Sequence, residues 1–271
     1  MTEDSNPIAI REVELAELEP GGLLHGPFAA LHREWIARGF SRWLSFVRHD
    51  GPHPTVVFGA FVHGQLAGAV VGIWGPGPIP RFDLLFEHAY GPATSRPRRG
   101  AWHLIAVTTD PASEVRGLGL GRALLGRALA WASAQGFDVV RTLSPAVGLA
   151  ELAARWPRDR HDAITTASRP DGRPALQVLR LHLGGGAILE RVLSASRRDD
   201  LASAQVTLRF LYETAPLARA RRRDAWQAWC DERAAAIASG RAELVAPGLY
   251  RVTTEADATF VHPDPAARGP G

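Results

Sequence analysis

The sequence predicts an α/β fold, a mixed sheet combined with helices, and three observations carry that reading. An apolar, β-branched run at residues 102–109 hands over through a glycine-rich turn to a helical pattern, and a second β-rich run follows at residues 137–143. That order is a β-α-β crossover, which lays its two strands parallel. Apolar runs at residues 55–63 and 66–74, separated by a short turn containing Gly64, mark an antiparallel hairpin. Two further runs, residues 175–183 and 205–212, read as strands.

In chain order, residues 8–14 (IAIREVE) alternate as a half-buried first strand does. After Glu19-Pro20-Gly21-Gly22, a helix is expected over residues 26–38, with Phe28, Leu31, Trp35 and Ile36 as its apolar positions. A second helical piece over residues 41–48 carries Trp43, Leu44, Phe46 and Val47. The hairpin ends in Gly75-Pro76-Gly77-Pro78-Ile79-Pro80, which is incompatible with regular structure. Residues 75–101 then make a long connection, with a short element expected around residues 82–90. Connections of this length in compact domains are often functional.

Asp110-Pro111 ends the central strand, because proline has no N–H for a sheet ladder. Arg116-Gly117-Leu118-Gly119-Leu120-Gly121 follows. Leu120, Ala123, Leu124, Ala128, Trp131 and Ala132 then recur at three- and four-residue spacing until Gly136. Glycines at a strand-to-helix turn let a ligand approach the backbone, and the first helical N–H groups have no acceptor within the helix. Together with the helix dipole they form a site for phosphate or pyrophosphate. A nucleoside-triphosphate loop needs GxxxxGK[ST], and this chain contains no lysine. A dinucleotide fingerprint needs GxGxxG, and Arg122 or Leu124 stands where its last glycine would be. The pattern [QR]-x-x-G-x-[GA] is met at every fixed position. Behind a strand ending in Asp-Pro and ahead of an amphipathic helix, it resembles the acyl-CoA loop of the GNAT superfamily of N-acetyltransferases.

The resemblance implies a mixed, mostly antiparallel central sheet flanked by helices. Past the crossover, residues 146–156 (AVGLAELAARW) read as a helix and residues 157–174 as a polar loop. The runs at 175–183 and 205–212 then become the last hairpin of the sheet, with residues 184–200 as an elaborated insertion. The resemblance covers residues 8–213. The expected division is therefore an acyltransferase domain at residues 1–213 and a C-terminal extension at residues 214–271 packed on it. In the extension a helix is expected over residues 216–239, with Trp226, Trp229 and Cys230 on one face, and a small β-pair over residues 243–263.

Composition bounds the function classes. The 271 residues, 46% apolar and 22% charged, are those of an ordinary globular protein. A single cysteine, Cys230, excludes an internal disulfide. The acidic start lacks the apolar run of a secretory signal, and no stretch reaches the ~18 apolar residues of a membrane span. A cytoplasmic protein with no membrane partner is expected. All 31 basic residues are arginine, which lifts the pI to 9.7 at a net charge of only +3. The run Arg219-Ala220-Arg221-Arg222-Arg223 lacks interleaved aromatics, so it reads as a solvated helix face and no nucleic-acid partner is expected. Gly51-Pro52 breaks the one HxxxH pair, His49 and His53, so no metal site is expected.

The resemblance further implies acetyl-CoA as cosubstrate and transfer of its acetyl group to an amine by direct attack in a ternary complex. The main chain of Val107 and Thr109 is then expected to bond the pantetheine arm and face the acyl carbonyl. The N–H groups of Arg116, Gly117, Leu118, Gly119, Leu120, Gly121, Arg122 and Ala123 hold the pyrophosphate, with the side chain of Arg116 or Arg122 adding charge. The helices at residues 26–38 and 41–48 line the acceptor site. Two family features are missing. The glutamate base falls near Ala101, and where the tyrosine acid is expected the chain offers Ala153-Ala154, with Ser144 the nearest polar residue. His103 becomes the first candidate base: strand alternation puts it on the face of residues 101, 105 and 107, and an imidazole pKa near ~6.5 suits proton removal. Glu87, with Asp83 and His88 in the long connection, is the second candidate, and His182, on the sixth strand, is the third. The expected acceptor is a small-molecule or peptide amine, and edge strands of this fold allow a homodimer. The missing glutamate and tyrosine also support an alternative, a non-catalytic acyl-CoA-binding sensor or partner module.

Overall fold

A computed structural model of the chain describes residues 8–33, 55–75, 101–110, 117–194 and 200–260. The chain forms two compact units, Met1–Thr142 and Leu143–Gly271. The helical piece expected over residues 41–48 and the element around residues 82–90 lie outside the described residues, and the helix expected over 26–38 is described only as far as residue 33.

In the first unit, the alternation of residues 8–14 becomes β1 (Ile8–Val13), antiparallel to β2 (Thr55–Val62) with Ile8 opposite Val62. Helices α1 (Leu15–Leu18) and α2 (His25–Leu31) follow β1. β2 turns through His63 and Gly64, at φ of 50° and 79°, into β3 (Gln65–Gly75). Two residues of positive φ make the tight turn whose twist matches the flanking strands. β3 pairs antiparallel with β4 (Ala101–Thr109), and β4 pairs parallel with β5 (Val139–Pro145), giving the order β1-β2-β3-β4-β5. The crossover helix α3 (Leu120–Ala134) buries Leu120, Leu124, Leu125, Ala128, Leu129 and Ala132, a stripe of helical period. The Trp131 ring lies 5.0 Å from Trp102 and 6.3 Å from Phe58, which fixes α3 over the strands that carry them.

In the second unit the sequence expectation and the structure part company. Residues 175–183, expected as a strand, form the helix α6 (Gln177–Gly184) and its N-terminal approach. Leu176, Leu179 and Leu183 are buried three and four residues apart, together with His182, which is the burial of a helix and not the alternation of a strand. The partner of β8 (Thr207–Glu213) is instead β7 (Ala187–Leu193), with Ala187 opposite Tyr212. The helix expected over 146–156 contracts to α4 (Leu149–Ala154). The expected polar loop contains α5 (Arg160–Thr166), started by the Asp159 carboxylate accepting from the Asp162 N–H at 2.8 Å, and β6 (Ala167–Ser168). The long C-terminal helix is α7 (Pro216–Ala238), and Trp226, Trp229 and Cys230, expected to share one face, are buried. β9 (Glu243–Ala246) and β10 (Leu249–Arg251) pair, β10 also pairs with β6, and α8 (Asp257–Phe260) follows.

Arg233 of α7 is wholly buried. Its Nε donates to Ser168 Oγ at 2.9 Å and Nη2 to the Thr166 carbonyl at 2.7 Å. Nη1 donates to the Thr165 carbonyl and to Asp257 Oδ1, both at 3.2 Å, and the guanidinium lies 4.4 Å over the Trp229 ring. No helix among the described residues is long and apolar enough to cross a membrane.

Gly72 of β3 lies against the Trp102 ring, which fills the space a Cβ would need. Gly72→Ala is expected to lower stability by about 1–3 kcal/mol through overpacking, read as a lower urea midpoint at unchanged slope. A change below about 0.5 kcal/mol would mean that Trp102 repacks freely.

Candidate active site

The glycine turn of the first unit has the backbone its sequence requires. Gly117 and Gly119 stand at φ of 88° and 72°, the left-handed region that side chains avoid, and among the described residues no atom lies within 4 Å of where a Cβ would stand on either. Gly119 is the N-cap of α3 and makes no side-chain cap, and the first helical bond runs from the Ala123 N–H to the Gly119 carbonyl at 3.0 Å. The N–H groups of Leu120, Gly121 and Arg122 therefore have no acceptor within the helix. Leu120 is buried and anchors the turn, Gly121 is partly buried, and Gly117, Leu118, Gly119, Arg122 and Ala123 are exposed. An open turn of uncapped donors with an exposed arginine beside it fits a phosphate group. Arg116 lies outside the described residues.

The strand leading to this turn is bulged. Val71 pairs with Ala106 while Gly72 pairs with Leu104, so Ile105 is the extra residue. Residues directly opposite share a face of the sheet. Val107, opposite Val70, therefore shares the face of Leu104, and His103, opposite Ile73, shares the face of Ala106. The simple alternation that put His103 on the face of residue 107 is corrected by that bulge. His103 is only 4% exposed. Parallel pairing with β5 covers residues 102–104. Val107, partly buried, and Thr109, exposed, lie beyond that ladder, where the resemblance expects the pantetheine contacts.

In the second unit, His182 acquires partners from two other elements. It sits on α6 and not on a strand, and is 3% exposed. Its Nε2 is 2.8 Å from Ser144 Oγ, near the end of β5, and its Nδ1 is 2.7 Å from the Tyr212 hydroxyl on β8. The ring stacks on Phe210 with centroids 4.3 Å apart. Burial pushes the imidazole pKa down to about 3 and raises that of the Tyr212 phenol, so a neutral ring bridges two hydroxyls at pH 7. Sequence reasoning named Ser144 only as the nearest polar substitute and passed over Tyr212. The signal was the inward alternation of Leu208, Phe210 and Tyr212, since a tyrosine on a buried face needs a partner for its hydroxyl.

Glu87, Asp83 and His88 lie outside the described residues, and among the described residues no three His, Cys, Asp or Glu side chains gather as metal ligands.

A strand–bulge–glycine-turn–helix unit of this kind defines a class of acyl-CoA-binding folds. The profile described as Acetyltransferase (GNAT) family matches residues 20–155, and the chain belongs to that family. No curated protein sequence matches it. The loading GNATL domain of CurA from Lyngbya majuscula is similar at TM-score 0.55 and 16% identity, covering 77% of this chain and 98% of that one. The GphF GNAT-like decarboxylase in complex with isobutyryl-CoA is similar at 0.53 and 20%, covering 76% and 99%. Malonyl-CoA decarboxylase from Rhodopseudomonas palustris is similar at 0.57 and 14%, covering 94% of this chain and 62% of that one. At these identities the likeness is one of fold, and it agrees with the mixed, mostly antiparallel sheet.

His182 has a pH signature shared with His32, whose burial lowers its pKa to about 4. Both values lie below the unfolded value of about 6.5, so the unfolded chain binds more protons in the window between. Their contribution is complete above about pH 6.5 and is lost as pH falls, at up to ~1.4 kcal/mol per pH unit for each. The urea midpoint is expected to drop from pH 7 to pH 5, with a shallower slope in His182→Gln. An unchanged slope in that variant would mean that His182 is already charged in the folded chain.

Proposed function

We propose that the chain acts on CoA thioesters and that its reaction is loss of CO2 from a β-carboxyacyl thioester of the malonyl type. The observation that carries this reading is the Ser144–His182 pair, a partly exposed hydroxyl against a buried, neutral imidazole. An imidazole whose pKa is about 3 is a poor base for an ammonium acceptor. Decarboxylation does not need one. The bond from Cα to the carboxylate breaks, its electron pair moves toward the thioester oxygen, and a hydrogen-bond donor there stabilises the developing charge. A proton then takes the place of CO2 on Cα. In this reading the Ser144 hydroxyl is that donor. For the first unit, taken by itself, we read the N–H groups of residues 117–123 as a pyrophosphate site, with Arg116 or Arg122 adding charge, and the main chain of Val107 and Thr109 as a pantetheine site. Two proteins of similar fold, a GNAT-like decarboxylase in complex with isobutyryl-CoA and a malonyl-CoA decarboxylase, lend support.

The family match favours a second reading, acetyl transfer from acetyl-CoA to an amine of a small molecule or peptide, with His103 or Glu87 taking the proton.

Incubation with malonyl-CoA and methylmalonyl-CoA, with separation of the products, tests the choice. Acetyl-CoA or propionyl-CoA is expected without free thiol, and Ser144→Ala is expected to lower kcat about 10²–10³-fold, the usual effect of removing one donor to a developing oxyanion. Amine-dependent release of free thiol, with no decarboxylation, would replace this reading by acetyl transfer. A raised melting temperature with acyl-CoA but no turnover of either kind would leave the binding module.

The glycine turn is tested separately. Gly119→Ala places a Cβ at φ of 72° and strains the turn by roughly 1–2 kcal/mol. It is expected to raise KM for the thioester several-fold while leaving the products unchanged. An unaltered KM would take the turn out of substrate binding.

A further inference from the structure

We infer that Tyr212 is a positioning residue that holds His182 as its Nε2–H tautomer, and that this makes Ser144 a hydrogen-bond donor to substrate and not a nucleophile. The functional half of the inference rests on the reading of Ser144 given above.

A neutral imidazole carries one N–H and one lone pair. With Tyr212 at Nδ1 and Ser144 at Nε2, only two arrangements use both contacts. In the first, the phenol donates to Nδ1, Nε2–H donates to Ser144 Oγ, and the serine hydrogen turns outward. In the second, Nδ1–H donates to the phenol oxygen and the serine hydrogen points at Nε2. The second leaves the phenol hydrogen in need of another acceptor. The Tyr212 side chain has no exposure to water, and the hydrogen bond described for its hydroxyl is the one to Nδ1. A buried O–H without an acceptor is disfavoured, so the first arrangement holds. Donor strength points the same way, because a phenol is a better donor and a poorer acceptor than an imidazole nitrogen. Ser144 is only partly buried, so its outward hydrogen has somewhere to go.

The identity of the third residue decides the chemistry. A carboxylate in place of the phenol accepts only, which would force Nδ1–H and leave Nε2 as a base for the serine, the arrangement that generates a nucleophile. A phenol does the reverse. Nε2 then carries a proton and cannot take one from Ser144, and no acyl-serine forms. What remains is a hydroxyl whose oxygen accepts from Nε2–H, which strengthens the donation of its own hydrogen.

The test is nitrogen-15 NMR of the full chain labelled at histidine, at pH 7 and without substrate. His182 is expected to show a protonated, pyrrole-type Nε2 and a pyridine-type Nδ1, with the Nδ1 signal shifted by the phenol hydrogen bond. In Tyr212→Phe that signal is expected to move to the position of a nitrogen without a hydrogen bond, and kcat for decarboxylation is expected to fall about tenfold at unchanged KM. Wild type is expected to resist labelling at Ser144 by a fluorophosphonate. A protonated Nδ1 in wild type, an unmoved Nδ1 signal in Tyr212→Phe, or labelled Ser144 would each overturn the inference. If Tyr212→Phe does not fold, the wild-type spectrum alone decides. Because the nitrogen signals are read without substrate, failure to turn over malonyl-CoA would refute the proposed reaction and leave the tautomer assignment standing.

Discussion

A wholly buried imidazole has to find partners for both its nitrogens, and that requirement governs the second unit. An unsatisfied buried polar atom costs roughly 1–3 kcal/mol, a sizeable fraction of the stability of a domain. His182 avoids it by taking Ser144 from the end of β5 and Tyr212 from β8, while Phe210 of the same strand covers its ring. Three elements are thereby held to hydrogen-bonding distances of 2.8 and 2.7 Å. The same contacts that satisfy the imidazole define its chemistry. Desolvation keeps it neutral, and a neutral ring between two hydroxyls relays hydrogen bonds without storing charge.

The first unit depends on a different constraint, one of register. A regular β4 would carry one alternation from Ala101 to Thr109. The extra residue at Ile105 divides it, so that His103 and Val107 fall on opposite faces. The N-terminal half of β4 remains bonded to β5 at residues 102–104, and the C-terminal half runs past that ladder toward the glycine turn. The bulge therefore separates a segment paired on both sides from one whose described pairing is with β3 alone. Proximity of His103 to the turn in sequence says little about its access to substrate.

Features written in short-range pattern were legible before the structure. The glycine turn, the β2–β3 hairpin, α3 and α7 each carry a period or a backbone demand that one reading satisfies. Residues 175–183 do not. Leu179, Leu181 and Leu183, with Arg180 and His182 between them, suit an alternating strand, while Leu176, Leu179 and Leu183 suit a helix, and the tie was broken by the packing of α6 against β7 and α7. That single ambiguity moved His182 onto a strand and displaced the last hairpin from β7 to the helix. α5 was hidden for another reason: its start depends on the Asp159 carboxylate, a cap that looks like ordinary loop polarity in sequence. The role of Tyr212 lay beyond local pattern altogether, because it rests on a contact between residues thirty apart.

The C-terminal segment, which falls outside the family pattern, bears on the site through packing. α6 packs against α7, and α7 is tied down by Arg233. That guanidinium spends its donors on the carbonyls of Thr165 and Thr166, on Ser168 Oγ and on Asp257, and so joins α7 to the end of α5, to β6 and to α8 at once. A planar group with donors on three nitrogens can span four acceptors, whereas an ammonium has three donors at a single point. Burial lowers the guanidinium pKa, but a group that starts above ~12 remains charged, so the carbonyl dipoles and the Asp257 carboxylate are all needed to offset its desolvation. The seat of α6 therefore depends on a buried charge in the next helix. The placement of His182 against Ser144 thus rests partly on residues 216–260, and a chain shortened before α7 would lose the support for its imidazole while keeping the glycine turn of the first unit in sequence.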